Sequence, residues 1–109
     1  MNSRVKNRFM AFAISMAKCN YVAALNHCQK TWIATAKQQK VYLSQCQPGL
    51  DWGRVVYKGA KQTGKYAYDV KFTVGKHTYR ARLICEIKEY TPSLFGRWGV
   101  NPYSIKRSK

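Results

Sequence analysis

The tightest constraint on the fold lies in residues 66–88, YAYDVKFTVGKHTYRARLICEIK. Tyr66, Tyr68, Val70, Phe72 and Val74 alternate with Ala67, Asp69, Lys71 and Thr73. Beyond Gly75-Lys76, Tyr79, Ala81, Leu83, Cys85 and Ile87 alternate with Thr78, Arg80, Arg82, Ile84, Glu86 and Lys88. Successive side chains of a strand point to opposite faces, so period two in both arms predicts an antiparallel hairpin with one buried face. Gly75 at the first position of a two-residue loop suits a type II′ turn, where that residue must take a positive φ. Pairing the arms about this turn sets Phe72 opposite Tyr79, Val70 opposite Ala81 and Tyr68 opposite Leu83 on the buried face. On the other face Thr73 meets Thr78, Lys71 meets Arg80, and Asp69 meets Arg82.

Lys71 beside Arg80 is a like-charged cross-strand pair, which costs a few tenths of a kcal/mol unless an anion lies between the two. The whole chain is biased the same way. It has 20 Lys+Arg against 4 Asp+Glu, a net charge of +16, and no acid before Asp51. Solubility alone does not call for so one-sided a surface, and a polyanion partner accounts for it. If residues 52–58 (WGRVVYK) join the sheet with Val55 and Tyr57 inward, Arg54 and Lys58 point outward with Lys71, Arg80 and Arg82. The following GAKQTGK, residues 59–65, reads as a flexible loop that would hold Lys61 and Lys65 at the rim of that face.

Ahead of the sheet, residues 5–40 contain no Gly or Pro and step apolar side chains at helical intervals. Phe9, Phe12 and Met16 form one series, and Tyr21, Leu25, Cys28 and Trp32 another. The two are out of phase, so a break is expected between Lys18 and Asn20, with Asn20 as N-cap, giving one bent helix or two. Pro48-Gly49 marks a turn, and the prolines and glycines of residues 89–109 predict an irregular C-terminal segment ending in a solvated basic tail. The length suits one domain. The expected architecture is α+β, with a helical segment (5–40) packed on an antiparallel sheet of about three strands (52–88).

Two further features could carry chemistry. In FGRWG, Arg97 and Trp98 between glycines could offer a guanidinium to phosphate and a ring to a base, or Trp98 could anchor the C-terminal segment to the core. His77, close in sequence to Tyr79, Arg80 and Arg82, is the one candidate proton acceptor for phosphodiester cleavage, against a purely structural or exposed role. His27 lies in the helical half with no acid near it in sequence. The order of helices followed by an antiparallel sheet, in a small basic chain, resembles the architecture of the RelE/HigB-type mRNA-cleaving toxins. That resemblance covers the hairpin, lacks a first strand ahead of the helices, and carries no site residue across. It implies a metal-independent ribonuclease as an alternative expectation.

Several classes are disfavoured. Cys19, Cys28, Cys46 and Cys85 contain no CxxC spacing, so free thiols are expected in place of a zinc site. Four scattered acids do not suit a two-metal nuclease. No P-loop, dinucleotide glycine pattern, HExxH or GxSxG occurs. No metal or cofactor is expected. The basic lead MNSRVKNR and apolar FMAFAISMA resemble a leader, but the run is short and Lys18 ends it. Cytoplasmic residence is the expectation, with export or organelle import after loss of residues near 1–17 as the alternative. A membrane partner is not expected. The partner expected is nucleic acid, RNA or DNA, or else an acidic protein surface. In the latter case the chain would act as an inhibitor or adaptor from a mobile element, directed at nucleic-acid machinery.

Overall fold

A two-residue turn at Gly75-Lys76 closes the hairpin in the register that the alternation predicts. Strands Ala67–Val74 (β2) and His77–Cys85 (β3) pair Phe72 with Tyr79, Val70 with Ala81, Lys71 with Arg80 and Asp69 with Arg82. Gly75 has φ 59, while Lys76 is not among the residues with positive φ, as a type II′ turn requires. The computed structural model describes residues 3–28, 50–85 and 98–108. The helical expectation for residues 29–40, the Pro48-Gly49 turn, Cys46 and Arg97 lie outside them.

Among the described residues the sheet has four strands, one more than expected, each paired with the next in chain order. A single 3₁₀ turn, Trp52–Arg54, leads into β1, Val55–Gly64. This strand absorbs residues 59–64 of the segment read as a loop at 59–65. Two bulges, one between Tyr57 and Gly59 and one between Gln62 and Gly64, let the chain stay paired through its glycines. The fourth strand, Trp98–Arg107 (β4), occupies the described part of the expected irregular segment and takes in Lys106 and Arg107 of the supposed tail. Pro102 is accommodated because β4 is an edge strand that bulges there, one of the few places in a sheet where proline is tolerated.

The helical half breaks where the two apolar series lose phase. Helix α1, Ser3–Ala17, and helix α2, Tyr21–Asn26, are separated by Lys18, Cys19 and Asn20. Cys19 takes φ 55, Cys19 N donates to Met16 O, and Asn20 N donates to Ser15 O at 2.9 Å. These are the two bonds of a Schellman stop. Asn20 then begins the next helix, its side-chain Oδ1 accepting from Ala23 N at 3.2 Å.

Val5, Phe9, Phe12, Ala13 and Met16 line one side of α1 and are buried. They lie against β1, β2, β4 and the 3₁₀ turn. Phe9 packs on Phe72 at 4.8 Å between ring centroids, Phe72 stacks on Tyr79 at 5.5 Å, and Phe12 meets Trp52 edge-on at 5.6 Å. Burying each such ring is worth roughly 2–3 kcal/mol. The free edge of β4 is met by the end of α2: Val100 N donates to His27 O at 2.9 Å, and Cys28 bridges Val100. The core therefore occupies the helix side of the sheet. No described helix is long and apolar enough to cross a membrane.

Candidate nucleic-acid interface

The other side of the sheet is built in rows, because antiparallel partners share a face. The central row runs Gly59, Lys71, Arg80, Lys106 across all four strands. Lys71, Arg80 and Lys106 are all exposed, and no carboxylate stands in the row. Next to it runs Lys61, Asp69, Arg82, Asn101. Here Arg82 Nε lies 3.6 Å from Asp69 Oδ1, with the arginine side chain 53% exposed. On the opposite flank Thr73 pairs with Thr78, whose carbonyl accepts from Ser108 N at 2.7 Å.

Lys71, Arg80 and Arg82 thus lie together as expected, but Arg54 does not join them as the alternation predicted. Lys58, exposed and following core-facing Tyr57, is the extra residue of the first β1 bulge and stands with Gly59 (φ 148) against Lys71. Such an insertion reverses which alternate residues face which side. Lys61 therefore moves from its expected loop onto the open face, opposite Asp69. Arg54 belongs to the 3₁₀ turn that Asp51 caps through Gly53 N, and its guanidinium lies over the hairpin tip beside Gly75. Lys65 sits at the far end of the sheet, its ammonium 5.4 Å from the Tyr66 ring centroid.

Of the two roles expected for Trp98, the structure shows the packed one and not the presented ring. Trp98 pairs with Cys85, is buried, and meets Tyr68 edge-on at 5.2 Å. The exposed aromatic near the cations is Tyr103, which sequence reasoning passed over together with Lys106 because Pro102 read as the end of regular structure.

Two shallow concavities mark the face. One, of about 670 Å³, is lined by Lys71, Lys76, His77, Thr78, Arg80 and Arg107, with Ser108. Its neighbour, of about 460 Å³, shares Arg80 and adds Arg82, Tyr103, Ser104 and Lys106, with Asp69 opposite. His77 begins β3 at the sheet margin, where an exposed side chain from the core-facing set can still reach this rim. Ser104 Oγ accepts from Arg82 N at 2.7 Å and donates to Asn101 O at 2.6 Å, holding the bulge of β4 against β3.

Burial governs two titratable groups away from this face, Arg8 and Tyr57. Desolvation pushes the Arg8 guanidinium below its usual value. Arg8 Nη1 donates to His27 Nδ1 at 2.7 Å, because a guanidinium can only donate, and this makes Nδ1 the unprotonated nitrogen. Burial pushes the Tyr57 hydroxyl above its usual range, and no partner for it occurs among the described residues. Among the described residues, no group of three or more His, Cys, Asp or Glu gathers in a metal-binding arrangement.

No protein-family model matches the chain, and no curated protein or solved structure shows significant similarity to it.

Proposed function

We propose that the protein binds nucleic acid non-covalently, holding backbone phosphates on the open face of its sheet. The observation that supports this most is the row Lys71, Arg80, Lys106, three exposed cations on adjacent strands with no acid among them. Strands lie about 4.8 Å apart, so the row places positive charge along roughly 10 Å of surface. Phosphate oxygens between these side chains turn mutual repulsion into attraction and release counterions. Contacts of this type fix position and carry little sequence preference. Lys71→Ala combined with Arg80→Ala is expected to weaken binding of a labelled oligonucleotide and to flatten its salt dependence. Unchanged binding in that variant would remove this face as the site.

A second reading rests on His77. It lines the same concavity as Lys71, Arg80 and Arg107, so a proton acceptor and cations converge there. That is the minimum set for metal-independent RNA cleavage, in which a base activates the 2′-hydroxyl and cations stabilise the phosphorane-like transition state. Incubation with RNA in chelator, wild type against His77→Ala, tests it. Cleavage by the wild type that His77→Ala abolishes would support the enzyme reading, and intact RNA throughout would leave binding alone.

A further inference from the structure

β4 makes an unusually wide excursion beside the basic row. Arg80 pairs with Lys106 and Arg82 pairs with Asn101, so residues 102–105 stand against Ala81 alone. The excursion is held at several points. Pro102 is fully buried and Ile105 is 3% exposed, both packed into the protein interior. Ser104 bonds Asn101 O and Arg82 N, and Asn101 Oδ1 accepts from Tyr103 N at 3.1 Å. Between these anchors Tyr103 is carried outward, 55% exposed, into the concavity that Arg80, Arg82 and Lys106 line. The backbone thus holds a largely solvent-facing ring in place among cations.

We infer that Tyr103 is a base-stacking platform and that the ligand of this face is single-stranded nucleic acid, a base lying on the tyrosine while flanking phosphates lie on Lys71, Arg80 and Lys106. The inference rests on the phosphate-binding reading above and adds the strandedness. In a duplex the bases are stacked inward, and a ring on a sheet surface meets only the backbone. An unpaired base can splay out and stack on it. Asn101, in the same concavity, offers an amide to the edge of a splayed base. Asp69, also in that concavity, is engaged with Arg82 and is turned to its neighbour's charge.

The experiment compares a fluorescein-labelled 12-nucleotide oligo(dT) and oligo(U) with a 12-base-pair duplex, by anisotropy at several salt concentrations. The wild type is expected to bind the single strands more tightly than the duplex. Tyr103→Ala should lose roughly tenfold or more for the single strands, the worth of one stacked base, with its salt slope retained. Tyr66→Ala, at the far end of the sheet, controls for loss of any exposed ring. Circular dichroism confirms that each variant folds. Tyr103→Ala binding single strands as the wild type does, while Lys71→Ala with Arg80→Ala still weakens binding, overturns the stacking platform and leaves the phosphate face standing. Tighter binding of the duplex overturns the assignment of strandedness. If the Lys71→Ala, Arg80→Ala variant and Tyr103→Ala both bind as the wild type does, the phosphate face itself fails.

Discussion

Arg80 stands between two other cations, and that arrangement has a measurable cost in the free protein. Lys71 flanks it on β2 and Lys106 on β4, each in direct register. Two unit charges about 6 Å apart in a water-like dielectric repel by about 0.7 kcal/mol. Two such neighbours, reduced by side-chain splaying and by screening over a Debye length of about 10 Å at 0.1 M salt, leave roughly 0.5–1 kcal/mol. Arg80→Gln removes the charge and keeps most of the stem. Urea unfolding followed by tryptophan fluorescence should therefore show Arg80→Gln more stable than the wild type by about that amount at low salt, converging towards equality near 0.5 M. The same substitution should weaken oligonucleotide binding. A stability gain coupled to a binding loss is the signature of residues placed for a ligand. If Arg80→Gln is less stable than the wild type at low salt, the row is satisfied within the protein and the reasoning fails.

Other perturbations read different parts of the molecule. Asp69→Asn removes the carboxylate beside the basic row; its exposed pair with Arg82 contributes about 0.5 kcal/mol or less, so stability should hardly move while oligonucleotide affinity rises a few-fold. Tyr57→Phe removes a shielded hydroxyl that has no partner among the described residues, and should be neutral or stabilising by about 1 kcal/mol in urea titrations near neutral pH. Because the folded state holds the Tyr57 hydroxyl above its usual range, the stabilisation is complete below pH ~10 and is lost as pH rises through the folded value. The wild type should accordingly lose more stability than Tyr57→Phe between about pH 9 and 11, and parallel losses would contradict the assignment. Phe9→Ala, which opens a cavity against Phe72, should cost about 3–5 kcal/mol by the same unfolding assay. A loss below about 1 kcal/mol would mean that α1 does not hold the sheet.

The hairpin was legible residue by residue because its two arms share one unbroken period and a glycine where positive φ is needed. The helix break was legible as a loss of phase, and Asn20 as the residue able to cap the second helix. The remaining strands were harder to read because bulges hide them. Gly59 and Gly64 read as loop signals, although in β1 they permit insertions that keep the strand paired. The first insertion also brings Lys61 onto the open face, which no strict alternation can anticipate. In β4 the prolyl residue at 102 read as a terminator, but an edge strand with a wide bulge has room for it. That misreading concealed Lys106, left Trp98 open between a presented ring and a core anchor, and passed over Tyr103. The basic character of the site was thus visible in composition and in the Lys71–Arg80 pairing, while its actual membership depended on where the strands slip.

The most direct test is the slope of log Kd against log salt for a single-stranded oligonucleotide, measured for the wild type and for Lys71→Ala, Arg80→Ala, Lys106→Ala combined. Each phosphate contact contributes about 0.7 to that slope on a single strand, so the triple variant should be shallower by roughly 2. Coincident slopes would show that the cations of the central row do not meet phosphate.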